Sequence, residues 1–255
     1  MKIGIVVEGQ MGLTYAQQCA LAQRAESLGF DAFYRTDHYE SFPGPADQAT
    51  SDAWSVLAGL ARETKTIALG TLVSPVTFRY PGEYAKVVAT VQEMAGRRMH
   101  AGLGAGWHES EHRRYGFPFP EMATRAEMLE EQLEIVRGLW AGPDGWSFSG
   151  KHYQVSDALF RPNQDTAQRI LTGGEGSPRG MRIAAGHADE FNLTSSSPQT
   201  AREKFAALDA TCTAAGRDPA TLVRSAMSGL LIGRSRADYL AGVSRFMERI
   251  GGAGD

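Results

Sequence analysis

Short, almost uninterrupted runs of apolar and β-branched residues recur along this chain, each followed by a stretch whose apolar residues fall at helical spacing. The runs are KIGIVVE (2–8), AFYRTD (32–37), TIALGTLVS (66–74), RMHAGLGAG (98–106), RILTGG (169–174), EFNLTSS (190–196) and RSAMSGLLIG (224–233). A strand wetted on one face alternates polar and apolar residues, and these do not, so both of their faces are covered. Helical spacing links Leu21, Ala25 and Leu28; Trp54, Leu57 and Ala61; Leu129, Leu133, Val136 and Trp140; and Tyr239, Val243, Phe246 and Ile250, which predicts one sheet-facing side per helix. Strands joined by helical crossovers make a parallel sheet, and seven such units in 255 residues predict an α/β fold, a TIM-type (β/α)8 barrel forming a single domain over 1–255.

Three stretches break the pattern. GPDGWSFSGKHYQV (142–155) places glycine and proline around short aromatic runs, which predicts a hairpin-like insertion at about 142–160, after the fourth helix. In FRPNQDTAQRIL a loop start and a strand start nearly touch, so residues are expected to be missing around 163–168. No eighth strand is visible before GGAGD (251–255), and the last strand and helix of the barrel are expected to be missing from the chain.

Composition narrows the partners. A formal charge of −3 and a pI near 6.1 give no field for nucleic acid or an anionic membrane, so a small-molecule substrate is expected. Neither a basic leader followed by an apolar run nor an 18-residue apolar segment occurs. Cys19 and Cys212 are isolated in helix-like stretches, which points to reduced thiols and a cytoplasmic setting.

GWHESEH (106–112) fits the H-E-x-x-H pattern of zinc hydrolases, in which both histidines share one face of a long helix. Gly102, Gly104 and Gly106 before it and Gly116 and Pro118 after it leave little helix to carry a metal, although Glu127, Glu130, Glu131 and Glu134 stand at distances suited to a third ligand. A polar turn after a strand is the plainer reading, and no metal is assigned.

Reactive groups of a barrel gather at the C-terminal ends of its strands. There the sequence places Asp37 and His38 after the second strand, Leu72, Val73 and Ser74 after the third, Gly104, Ala105, Gly106 and Trp107 after the fourth, and Gly173, Gly174, Glu175 and Gly176 after the fifth. His38 is a candidate proton donor or a hydrogen-bonded strand-end histidine. The glycines around Glu175 precede a helix, where backbone N–H groups can hold a phosphate with charge from Arg179 or Arg182, or they only make a turn. After AGLGAGW no acidic residue about 20 positions on ends a following strand, as a dinucleotide fold requires, so its glycines are expected to make room for a flat ring.

RTDH (35–38), LGTLVSPVTFRYP (69–81), GLGAGWHESEHRRYGFPFP (102–120), LTGGEGSPRGMRIAAGHADEFNL (171–193) and AAGRDPATLVRS (214–225) together resemble the bacterial luciferase-like family, and most closely its coenzyme F420-dependent oxidoreductases. The resemblance implies a β/α barrel that seats a deazaflavin or flavin ring at the strand ends, against a bulge with a non-prolyl cis peptide near Leu72-Val73-Ser74. It implies that Asp37 and His38 lie near the ring, Gly104 to Trp107 beside it, and Gly173, Gly174 and Gly176 at the cofactor phosphate, with His38 as the acid/base. HESEH then becomes a loop and short helix of the family. Trp107 stands where the sugar-phosphate dehydrogenases of this branch carry an acidic residue, which argues against that activity. The resemblance implies hydride transfer with coenzyme F420, FMN-dependent monooxygenation as the alternative, and a homodimer as an open choice of assembly. A cofactor-binding barrel without turnover is the alternative from another class.

Overall fold

A computed structural model describes residues 1–96, 98–161 and 169–251, with side chains through 248. The expectation of missing residues around 163–168 falls outside these.

The chain runs β1 (Gly4–Val7), α1 (Tyr15–Ser27), β2 (Ala32–Arg35), α2 (Ala53–Glu63), β3 (Ala68–Thr71), β4 (Ser74–Pro75), α3 (Pro81–Ala95), β5 (Met99–Gly104), α4 (Glu109–Tyr115), α5 (Met122–Ala141), β6 (Trp146–Ser149), β7 (Gln154–Ala158), β8 (Arg169–Gly174), α6 (Pro178–His187), β9 (Glu190–Thr194), α7 (Pro198–Ala214), β10 (Val223–Met227) and α8 (Arg236–Gly251). Each of the seven sequence runs meets a strand of one parallel sheet ordered β1-β2-β3-β5-β8-β9-β10, with β4 pairing β5 beside that path, but the seventh run is strand only through Met227 and residues 228–233 leave the sheet. Crossover helices bend this sheet into a nearly closed α/β barrel whose end strands are β1 and β10. β6 and β7 make the antiparallel hairpin expected within 142–160.

The third run departs from its expectation. It is not one strand over 66–74: β3 stops at Thr71, the Leu72–Val73 peptide is cis, and the chain rejoins β5 as β4, where Ser74 pairs with Leu103.

Helices form where local chemistry starts them. Thr14 and Gln17 make a reciprocal capping box for α1, Asp52 accepts from Ser55 N–H to start α2, and Ser177-Pro178 and Ser197-Pro198 start α6 and α7 in the same way. Trp54, Leu57 and Ala61 on α2 and Leu129, Leu133, Val136 and Trp140 on α5 are buried, as the spacing predicts. They meet the helix-facing side chains Phe33, Leu69, Met99, Leu103 and Ile170 in the main core. A smaller core joins α6 and α7 to Phe191 and Leu193 of β9.

Two helix faces correct the reading. On α1 the buried side is Gln18, Ala22 and Ala25, while Leu21 and Leu28 are exposed, because the sheet is approached by small side chains and Gln18 turns inward to accept from Arg35 Nε at 2.9 Å. On α8 Tyr239 and Phe246 are exposed and Val243 is half-buried, so this apolar stripe does not pack on the sheet; the Ile250 side chain is outside the described residues. Cys19 and Cys212 are free thiols. Among the described residues no helix is long and apolar enough to cross a membrane.

Candidate active site

The end of β2 carries the densest polar network. Asp37, buried, accepts at 2.6 Å from Arg79 Nη1 and at 2.6 Å from Ser74 Oγ, while Trp54 Nε1 donates to Ser74 Oγ at 3.1 Å. Arg79 also reaches Asp52 at 2.5 Å, tying the bulge to the start of α2. Burial works against the Arg79 charge, but Asp37, Tyr39 and Asp52 outweigh it and hold the guanidinium proton more firmly than usual. Burial likewise opposes ionisation of Asp52, and the Ser55 N–H and Arg79 overcome it, so the carboxyl lies below its ordinary value. Asp37, 1% exposed, thus acts as a brace at the end of β2, with Oδ2 shared between Arg79 and Ser74.

Its neighbour His38 is turned the other way. Nδ1 of His38 lies 2.8 Å from Glu111 Oε1, and the second oxygen of Glu111 accepts from Tyr39 N–H at 2.9 Å. Glu111 is fully buried, so both of its oxygens are spent on orienting β2's end. Nε2 of His38 makes no hydrogen bond to any described residue. Around the imidazole stand Phe42 and Trp107, edge-on at 4.4 and 5.9 Å between centroids.

Val73 links the remaining strand ends. A Cβ on Gly104 would lie 2.6 Å from Val73 Cγ2, and one on Gly173 would lie 3.6 Å from Val73 Cγ1. Gly104 thus makes room for the valine of the bulge. Gly106, at φ +78°, faces Pro75 and Thr77, and Leu72 and Ala105 are half-buried beside the turn.

The β8 loop offers backbone instead of side chains. A Cβ on Gly174 would meet nothing within 4 Å, Glu175 is exposed and Gly176 is buried. Among the described residues, the N–H groups of Glu175, Gly176 and Ser177 donate to no protein acceptor. Lys204 of α7 donates to Gly176 O at 3.0 Å. Arg179 is committed to Glu130 and Ala123 O, so the charge expected from it points at α5, while Arg182 is exposed. Open donors and a glycine cradle fit the phosphate of a flavin-type cofactor. A separate cavity of about 270 Å³ lies behind the β2 loop, against Tyr39, Glu40, Gln48 and Arg114; none of the residues assigned to a ring lines it.

HESEH is not arranged around a metal. His108 is the residue before α4, which has only 7 residues, and His112 uses Nδ1 on His108 O at 2.7 Å and Nε2 on Thr77 Oγ1 at 2.6 Å. Burial lowers the His112 pKa, which suits a neutral ring receiving the Thr77 hydroxyl. Among the described residues no cluster of His, Cys, Asp and Glu could hold a metal ion. What this stretch contributes is Glu111, and no spacing in the sequence marks it as the partner of a histidine 73 positions away.

A family model described as luciferase-like monooxygenase matches residues 1–252. The chain belongs to this family. An F420-dependent glucose-6-phosphate dehydrogenase from Microbacterium testaceum is 33% identical over 196 residues, 76% of this chain and 57% of that protein. A pyrimidine monooxygenase from Acinetobacter baylyi is 30% identical over 177 residues, 66% of this chain and 46% of that protein. This luciferase-like chain spans about half the length of the curated relatives it matches. Among solved structures, an F420-dependent secondary alcohol dehydrogenase bound to an F420-acetone adduct superposes with a TM-score of 0.80 at 23% identity, covering 88% of this chain and 68% of that one. The F420-dependent tetrahydromethanopterin reductase of Methanopyrus kandleri gives 0.79 at 19%, covering 98% and 75%. At such identities the likeness speaks for the luciferase-like barrel fold.

Proposed function

We propose that this barrel is an oxidoreductase that moves a hydride between coenzyme F420 and a small organic substrate at the C-terminal mouth of its strands. The observation that carries the reading is His38, fixed through Nδ1 by a buried carboxylate and left with Nε2 without a hydrogen bond to any described residue, beside Phe42 and Trp107. When bound, the deazaflavin supplies a two-electron hydride donor or acceptor at its C5.

Val73 and the Gly104–Trp107 turn would flank the ring, and the amides of Glu175, Gly176 and Ser177 would receive the phosphate. His38, with its Nδ1 proton donated to Glu111, takes up a proton at Nε2 when substrate is oxidised and returns one when substrate is reduced. Glu111 keeps the ring in that orientation through its hydrogen bond to Nδ1. Asp37, Arg79 and Ser74 hold the strand end rigid so that Nε2 keeps its position. The proposed setting is cytoplasmic, and a homodimer is the assembly that light scattering should test.

Similarity to the pyrimidine monooxygenases favours FMN as the second reading. Absorbance titration and native mass analysis with coenzyme F420 and, separately, with FMN decide between them. Tight stoichiometric F420 binding with micromolar or weaker FMN is expected. The reverse order would move the protein to monooxygenation, and tight binding of F420 with no redox change on any substrate tried would leave a carrier.

A further inference from the structure

Of the four tryptophans, Trp107 is the exposed one, Trp146 being half-buried. Trp54 and Trp140 are 2% and 3% exposed, whereas Trp107 is 61% exposed, at the strand-end turn beside His38. An indole left this open beside a candidate proton donor is an apolar face lacking its partner. It is also held in place: Phe42 packs edge-on at 5.1 Å and His108 tilts against it at 4.9 Å, while Phe42 and His108 stand 4.8 Å apart. Phe42, Trp107 and His108 thus form one aromatic wall beside the His38 ring.

Two of the arginines near this wall are paired with carboxylates, and a third is held by a ring and a carbonyl. Arg79 is divided between Asp37 and Asp52, Arg114 lies 3.3 Å from Glu40, and Arg125 lies over Phe119 and donates to Pro120 O. The carboxylates here, Glu40 and Glu111, are nearly or fully buried, and a substrate phosphate brought against them would meet negative charge.

We infer that Trp107 selects the substrate of this site, and that the class it selects is an uncharged organic molecule with a flat or cyclic apolar body and one carbonyl or hydroxyl oxygen for His38. The inference rests on the function proposed above and adds the substrate class to it. Trp107 is a specificity residue: the indole takes the apolar body, the oxygen is directed to Nε2, and a phosphorylated sugar meets the buried carboxylates of Glu40 and Glu111.

The test uses the full chain, with cyclohexanone and D-glucose 6-phosphate as probes and tryptophan fluorescence as a readout that needs no turnover. Saturable quenching by cyclohexanone is expected in the wild type. In Trp107→Leu that quenching should be lost and cyclohexanone affinity, followed by calorimetry, should weaken about tenfold. Trp107→Phe, which keeps an aromatic face, should retain cyclohexanone affinity within about threefold, and in Trp107→Leu cyclohexanone affinity should fall several-fold more than F420 affinity does. Three results would overturn the inference: unchanged cyclohexanone affinity in Trp107→Leu, tighter wild-type binding of glucose 6-phosphate than of the ketone, or an equal loss of F420 affinity, which would make Trp107 a cofactor contact. Wild type that binds neither F420 nor FMN, yet shows Trp107-dependent ketone quenching, would sink the proposed function and leave this inference standing.

Discussion

The two sides of the barrel mouth are built from different materials. On the β2 to β5 side, side chains do the work: Asp37, Ser74, Arg79 and Asp52 are locked together, and His38 is held by Glu111. On the β8 side the work falls to backbone, with open N–H groups at Glu175, Gly176 and Ser177 and a glycine at 174 facing empty space. A side-chain site needs partners from several elements and stores its precision in their packing, whereas a backbone site needs only a turn and the absence of side chains. The two sides should therefore fail differently, and mutation can separate them.

His38→Ala should produce the largest effect, a fall in turnover of about 10²- to 10⁴-fold with the F420 dissociation constant almost unchanged. Stopped-flow rates and fluorescence binding distinguish this from a positioning role, in which rate and affinity would fall together. Glu111→Gln should follow in the same direction by about 10- to 100-fold, because it alters the orientation of the same ring.

Asp37→Ala tests the brace itself. Removing one partner of a buried ion pair leaves Arg79 undercompensated, and urea unfolding should show a loss of about 3–5 kcal/mol. A loss below about 1 kcal/mol would mean that Asp52 alone satisfies Arg79.

His100 gives a pH signature from the barrel interior. It shares a hydrogen bond of 2.7 Å with the Tyr34 hydroxyl, and burial, with Arg169 and Lys2 adding to it, brings its pKa down to about 4 from an ordinary 6.5. Because the unfolded chain binds this proton more tightly, the contribution is complete above about pH 6.5, declines as pH falls toward 4 and is constant below. Comparing unfolding free energies of wild type and His100→Asn across that window should reveal a difference that shrinks with acid by up to about 3 kcal/mol.

Gly174→Asp addresses the backbone side. A carboxylate placed beside the open N–H groups of Glu175, Gly176 and Ser177 should weaken F420 binding by about tenfold or more, and although a Cβ there meets nothing within 4 Å, the φ of +157° should cost about 1–3 kcal/mol of unfolding free energy, which a Gly174→Ala control measures separately. The smallest effect is expected at the margin of the molecule: Leu240→Lys on α8, where the side chain is 49% exposed, should change stability by less than about 0.5 kcal/mol.

The strand-helix order, the hairpin at β6–β7 and the glycine-rich loop before α6 were all readable from the chain, because hydrophobic period and turn chemistry are local properties. So was the position of the bulge, through its resemblance to a family. Burial of Trp54, Leu57 and Leu133 followed from spacing as well. Leu21 and Leu28 did not, since which face of a helix meets the sheet depends on how closely the two approach, and α1 approaches through alanines. Tertiary structure alone decided that Gly104 yields to Val73, that Asp37 is a brace and His38 the outward-facing group, and that Glu111, set in a stretch resembling a zinc motif, is the carboxylate behind that histidine. The reason is physical: a strand or a turn is specified by its own few residues, but a hydrogen bond between groups 73 positions apart exists only once the barrel has brought β2 and α4 together.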